Sequence, residues 1–296
     1  MKKRPFIIAL LVLCIIFAVF VGMMKFPSLL SSGTSSFSLG NKVAVVELCG
    51  AITESRNTIE QLVVFAKDDS IKAIVLRVDS PGGGVGPSQE IYSEVARITQ
   101  DKPIIVSMGS VAASGGYYVA APANKIYANP GTITGSIGVI MEFTNVLDLM
   151  NKIGLKTRVV KSGMHKDIGS SVREMTVEEQ ALLQGLIDDV HSQFVAAVSE
   201  GRNLSEEDVR KLADGRIFTG KQALQLGLVD KLGGLRVAIT EAARQGGIVG
   251  EPNIVYPEEP SVSLIDYFVG TTLSKVEQFM MTNQTTGLQV MWSPAN

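Results

Sequence analysis

The sequence predicts an α/β domain with a largely parallel sheet, and three observations carry that expectation. Short β-branched runs alternate with segments whose apolar residues recur at helical spacing. The run Ile74, Val75, Leu76, Val78 leads into a sharp glycine turn, Asp79-Ser80-Pro81-Gly82-Gly83-Gly84. A capping box, Thr176-x-x-Glu179, opens a long amphipathic helix. The chain has 296 residues, enough for one large domain or two small ones.

Taken in order, residues 1–25 read as a basic flank and a membrane anchor. Lys2, Lys3 and Arg4 precede an uncharged apolar run from Phe6 to Met24, closed by Lys25. That length fits a helix across a bilayer, with the basic flank on the cytoplasmic side and everything after Lys25 outside. A cleaved signal peptide shares the basic start. The run is long for such a segment, however, and no small-x-small pattern lies near Gly22-Met23-Met24. Cys14 follows the bulky Leu13 and makes a poor lipidation site, so a retained anchor is the expectation. Residues 26–41, rich in serine and glycine, read as a flexible tether.

Residues 42–250 read as the catalytic domain. Val43 to Leu48, Ala73 to Val78, Ile104 to Met108 and Thr157 to Val160 predict strands. Gln89 to Thr99 and Asn145 to Gly154 predict helices. The helix after Thr176 is expected to bury Leu182, Leu183, Leu186, Ile187, Val190 and Phe194. Residues 251–296 read as a tail: prolines 252, 257 and 260, then a helix carrying Leu264 through Met280, then about a dozen loose residues. No internal repeat is present. The net charge of −2 gives no basic surface for nucleic acid. Only Cys14 and Cys49 occur, so a disulfide framework is not expected.

The chemistry concentrates in the glycine-rich segments. In Ala112-Ala113-Ser114-Gly115-Gly116-Tyr117-Tyr118 a hydroxyl sits beside backbone N–H groups that no side chain shields. A nucleophile next to free donors for a developing oxyanion is what acyl transfer requires, so the segment reads as that of a serine hydrolase. The hydroxyl needs a base. His165 is one candidate, with Asp79 or Asp167 as its acid; His191 falls within the long helix and reads as a boundary or surface residue. Lys166 is the other candidate. Its ordinary pKa of ~10.4 would have to fall by roughly 3 units through burial. The residues leave His165 and Lys166 open.

From about Lys42 to Leu235 the chain resembles the signal peptide peptidase A family, in its short single-repeat form, of the Clp-protease/crotonase-like superfamily. The resemblance rests on the two segments above together with Thr134-Gly135-Ser136-Ile137-Gly138-Val139, Ser162-Gly163-Met164-His165-Lys166-Asp167, Gly215-Arg216-Ile217-Phe218-Thr219-Gly220 and Gly227-Leu228-Val229-Asp230. It implies a Ser–Lys dyad, with Ser114 as nucleophile, Lys166 as general base and Ser136 holding the lysine amine. Gly83 and Gly115 are implied as oxyanion donors, and His165 as a bystander. It also implies a β-superhelix with outer helices, a homo-oligomeric ring, no cofactor or metal, and a single-pass place in the bacterial cytoplasmic membrane. The implied substrates are cleaved signal peptides and similar extended apolar peptides. Two rivals remain: a crotonase-like acyl-transfer enzyme, and a non-catalytic membrane scaffold.

Overall fold

The computed structural model describes residues 42–258 and 289–291. The expected anchor, the tether and the expected tail helix lie outside the described residues. No described helix is long and apolar enough to cross a membrane.

The expected parallel-dominated α/β architecture is present. Strand β1 (Lys42–Cys49) runs parallel to β2 (Ile71–Ser80), which runs parallel to β4 (Ile104–Ala113). The path continues outward from β4 through β6 (Ile133–Gly135) to β7 (Ile217–Thr219), and outward from β1 to β9 (Asn253–Val255). Only the β6–β7 pairing in this sheet is antiparallel. Strand β5 (Lys125–Ala128) pairs with β4 and with β8 (Lys231–Leu232).

Both faces of the central strands are covered, which is why their sequences are apolar without alternation. Val43, Val45, Ala73, Val75 and Ile105 pack with helix Leu235–Gln245. The intervening Ala44, Val46, Ile74, Leu76 and Val106 belong to the larger core on the other face. That core takes the buried sides of α1 (Arg56–Lys67), α2 (Val85–Ile98), α3 (Gly115–Ala120) and the C-terminal half of the long helix α5 (Val177–Arg202). Between α3 and α5 lies α4 (Leu147–Lys152); α6 (Glu206–Leu212), α7 (Gly220–Gln225) and α8 (Leu235–Gln245) complete the described helices.

The structure corrects several expectations. Thr157 to Val160 forms no strand: no described strand pairs with it, and Val160 is 95% exposed. The capping box is present at Thr176 and Glu179, yet Leu182 and Leu186 are exposed, and only Val190 and Phe194 of the expected stripe are buried. The first half of α5 therefore leaves Leu182 and Leu186 uncovered, with Leu183 and Ile187 only partly buried. Helix α1, with Leu62 and Phe65 buried, was not anticipated. Within the last dozen residues, expected to be loose, Gln289–Met291 forms β10, antiparallel to the three-residue strand β3 (Gly82–Gly84).

Candidate active site

The site grows out of the ends of β2, β4 and β6, held in one row. Ser80 pairs with Ala112, Ala112 with Thr134, and Ala113 with Gly135. Between Val78 and Ser80 the register slips, because β4 spends extra residues there. The slip is filled by Asp79, whose Oδ1 accepts from Val111 N at 3.1 Å. Asp79 thus orients the turn.

Beyond β2 the chain doubles into β3. Gly82 adopts φ of +103° and donates to Ser80 Oγ at 3.1 Å. Ile52 N donates to Gly82 O at 2.9 Å, and Gly84 N donates to Ile52 O at 2.8 Å. Strand alternation then turns the Gly83 amide to the opposite edge, where Val290 of β10 is its partner. A Cβ at Gly83 would overlap the Ile52 backbone, so glycine is required by close approach.

Ser114 follows β4 at φ 54°, ψ −118°. This is sparsely populated for any residue with a Cβ and costs about 1–3 kcal/mol, a strain characteristic of functional positions. The backbone is pinned there: Ser114 N donates to Gly135 O at 2.8 Å, and Ser114 O accepts from Tyr118 N at 2.8 Å. Its side chain stands at the N-cap of α3 without capping it, which leaves the hydroxyl uncommitted to the helix. Gly116 lets α3 approach β2, since a Cβ there would meet Ser80 O. Below, Tyr117 is fully buried and donates its hydroxyl to Leu228 O at 2.8 Å; burial pushes its pKa far up. Tyr118 packs between Tyr92 and Phe194, with ring centroids 5.2 and 4.6 Å away. The two tyrosines support the helix that follows Ser114.

Ser136 shares the unusual backbone, at φ 51°, and its N–H donates to Arg216 O at 2.9 Å. Ser114 and Ser136 open onto the same cavity of about 500 Å³. Its far wall is one face of α5, carrying Gln184, Ile187, Asp188 and His191. His191 is therefore not a plain surface residue. Its Nε2 lies 2.7 Å from Ala213 O, an acceptor, so Nε2 carries the hydrogen and Nδ1 is left to accept. Helical spacing alone placed His191 at a boundary; the cavity lining shows that this boundary faces the serines.

Lys166 does not line that cavity. It is exposed on an irregular loop, residues 161–171, and its backbone N–H donates to Gly163 O at 3.3 Å. The loop is tied by charge. Arg173 forks onto the Asp167 carboxylate (Nε to Oδ2 3.0 Å, Nη2 to Oδ1 2.8 Å) and reaches Glu179 Oε2 with Nη1 at 2.7 Å. Glu179 Oε2 also accepts from Thr176 N at 3.0 Å. The guanidinium holds the Asp167 carboxyl well below its usual range, and lowers that of Glu179 to about 2. His165 lies 3.8 Å from Glu178 and outside the cavity. The segment Gly227 to Asp230 is structural: Asp230 Oδ2 accepts from Ile126 N at 2.7 Å and pairs with the buried Arg202. Among the described residues no group of histidine, cysteine, aspartate or glutamate is arranged to hold a metal ion.

Residues 96–248 match the profile of Peptidase family S49, and residues 35–134 match that of Clp protease. A Synechocystis protein with a provisional protease name is 46% identical over 71% of this chain and 76% of its own length. An Enterococcus faecium protein provisionally named signal peptide peptidase SppA is 41% identical over 60% of this chain and 52% of its own. The chloroplastic serine protease SPPA of Arabidopsis thaliana is 31% identical over 81% of this chain and 38% of its own.

Proposed function

The chain belongs to peptidase family S49 and is a serine protease of the signal peptide peptidase type, and from that premise we propose a membrane-anchored endopeptidase with a Ser114–Lys166 dyad. The observation that carries the reading is the strained, pinned Ser114 sharing one cavity with Ser136. Lys166 takes the Ser114 proton as Oγ attacks the peptide carbonyl. The Gly83 and Gly115 amides stabilise the oxyanion, a term worth ~10²–10³ in rate per donor. The lysine ammonium then protonates the leaving amine, and water releases the acyl-enzyme. Ser136 orients the amine.

In the isolated protomer Lys166 is exposed, and burial is what turns a lysine amine into a base near neutrality. Desolvation therefore falls to a second copy of the chain, delivering Lys166 into its neighbour's cavity. The segment around Lys166 favours such a contact: Phe143, Leu149, Ile153, Val160, Met164 and Leu182 are all exposed. A homo-oligomeric ring satisfies both needs. The substrate is an extended apolar peptide, a spent signal peptide above all, that adds a strand to the β3 edge. The seating of β10 on that edge supports this mode of binding.

A second reading, with His191 as the base, is favoured by its place on the same cavity as Ser114. One experiment separates the two. Ser114→Ala and Lys166→Met proteins, each inactive alone, are mixed as full-length chains in detergent and assayed for peptide cleavage. Recovered activity supports a dyad completed between copies. Retained activity in Lys166→Met alone, lost in His191→Ala, shifts the base to histidine.

A further inference from the structure

We infer that Arg173 is a positioning residue for Lys166, clamping the adjacent Asp167 to the first turn of α5 so that the amine is presented at a fixed point; this rests on the reading of Lys166 as the base. Lys166 belongs to a loop without regular structure, held inside by single hydrogen bonds such as Ile168 N to His165 O at 3.1 Å and Ser170 N to Asp167 O at 3.1 Å. Such a loop leaves a long side chain free to roam. The constraint comes from one planar fork. Besides the two carboxylates, Arg173 donates to Asp167 O at 3.0 Å through Nη2 and to Glu174 O at 2.9 Å through Nη1. All three guanidinium nitrogens are thus engaged, and the residue beside Lys166 is held by both its carboxylate and its carbonyl. Charge-assisted, bidentate contacts of this kind carry geometry that a point charge does not.

The far end of the clamp is equally fixed. Glu179 is buried and bound into the capping box, so it moves only with α5, the helix that walls the nucleophile's cavity. The loop of the base is therefore referenced to a rigid helix of its own protomer, which fixes the point from which the amine reaches the neighbouring copy. The remaining charges facing this cluster are Lys161, which donates to Asp167 Oδ1 and to Met164 O, and the His165–Glu178 pair. Glu174 is occupied by Asn145 Nδ2 at 2.8 Å.

A merely structural clamp would lower activity without changing how the base titrates, and the pH profile of kcat/KM separates the two. Profiles are taken on full-length protein carrying His165→Gln, which takes the imidazole beside Lys166 out of the comparison. Arg173→Met removes a cation and bares the Asp167 carboxylate. Both changes favour the ammonium, so the acidic limb moves up by about half a pH unit. Asp167→Asn does the reverse and moves the limb down by a similar amount. Arg173→Lys keeps the charge but not the fork; its limb stays in place while kcat falls. Opposite displacements support the inference, and either variant tests it if the other does not fold. Unmoved limbs, or limbs that move the same way, overturn it. Full activity in Lys166→Met would instead sink the underlying dyad, an outcome read before any limb is measured.

Discussion

Val290 lies opposite Gly83, in the antiparallel pairing of the tail strand with the strand that the resemblance marks for oxyanion binding. The same chain thus covers the edge on which a substrate strand is proposed to add. Truncation after Glu258 uncovers that edge. The truncated protein is expected to bind an extended apolar peptide more tightly, with KM lowered several-fold and kcat unchanged. Steady-state kinetics on both forms check it; an unchanged or raised KM would show that the tail strand is no competitor.

Ser114→Gly should separate catalysis from stability. It deletes the hydroxyl and relieves a backbone at φ 54°. Peptidase activity and fluorophosphonate labelling should vanish while Tm rises by about 2–4 °C, the equivalent of about 1 kcal/mol of strain. Ser114→Ala should be as inactive but keep the wild-type Tm. A fall in Tm for the glycine variant would argue that the strain is compensated locally.

Gly83→Ala meets the Ile52 backbone, not a side chain that can swing away. We expect β3 to shift, with peptide turnover down by at least the ~10²-fold typical of one lost oxyanion donor. Thermal melting and single-turnover acylation together check this. Wild-type acylation in a fully folded variant would remove Gly83 from the site.

Acid sensitivity follows from the Arg173 clamp. Glu179 is lowered from an ordinary 4.5 to about 2 in the folded protein, and Asp167 is lowered as well. A depressed carboxylate stabilises the fold above its unfolded pKa and loses that contribution as pH falls through the folded value. The stability gap between wild type and Arg173→Met should thus be full above about pH 4.5 and shrink toward pH 2. Urea midpoints across that range test it; a gap independent of pH would assign the loss to packing.

Much of the sheet was legible because its strands are buried on both faces, so Val43–Leu48, Ala73–Val78 and Ile104–Met108 are apolar except at Glu47, Arg77 and Ser107. The capping box was legible because Thr176 and Glu179 satisfy each other locally, whatever surrounds them. Thr157 to Val160 misled for the complementary reason: β-branched residues mark a strand only where a partner strand exists to pair with them. Leu182 and Leu186 have the spacing of a buried stripe, yet periodicity cannot distinguish a core from a face that another chain would cover. Glycine context pointed to Ser114, while Ser136, Gly83 and Gly115 came from the family resemblance; the structure places Ser114 and Ser136 on one cavity. The Arg173 clamp was not, since its three partners are ordinary charged residues whose meeting depends on how a loop folds back on a helix.

One row of pairings, Ser80 to Ala112 to Thr134, fixes the glycine turn, the alcohol and its companion serine in a single casting. No hinge crosses that row, so these parts cannot be drawn asunder without unravelling the middle of the sheet. Whatever turns this protein on or off must therefore work from outside the casting, on what approaches its mouth.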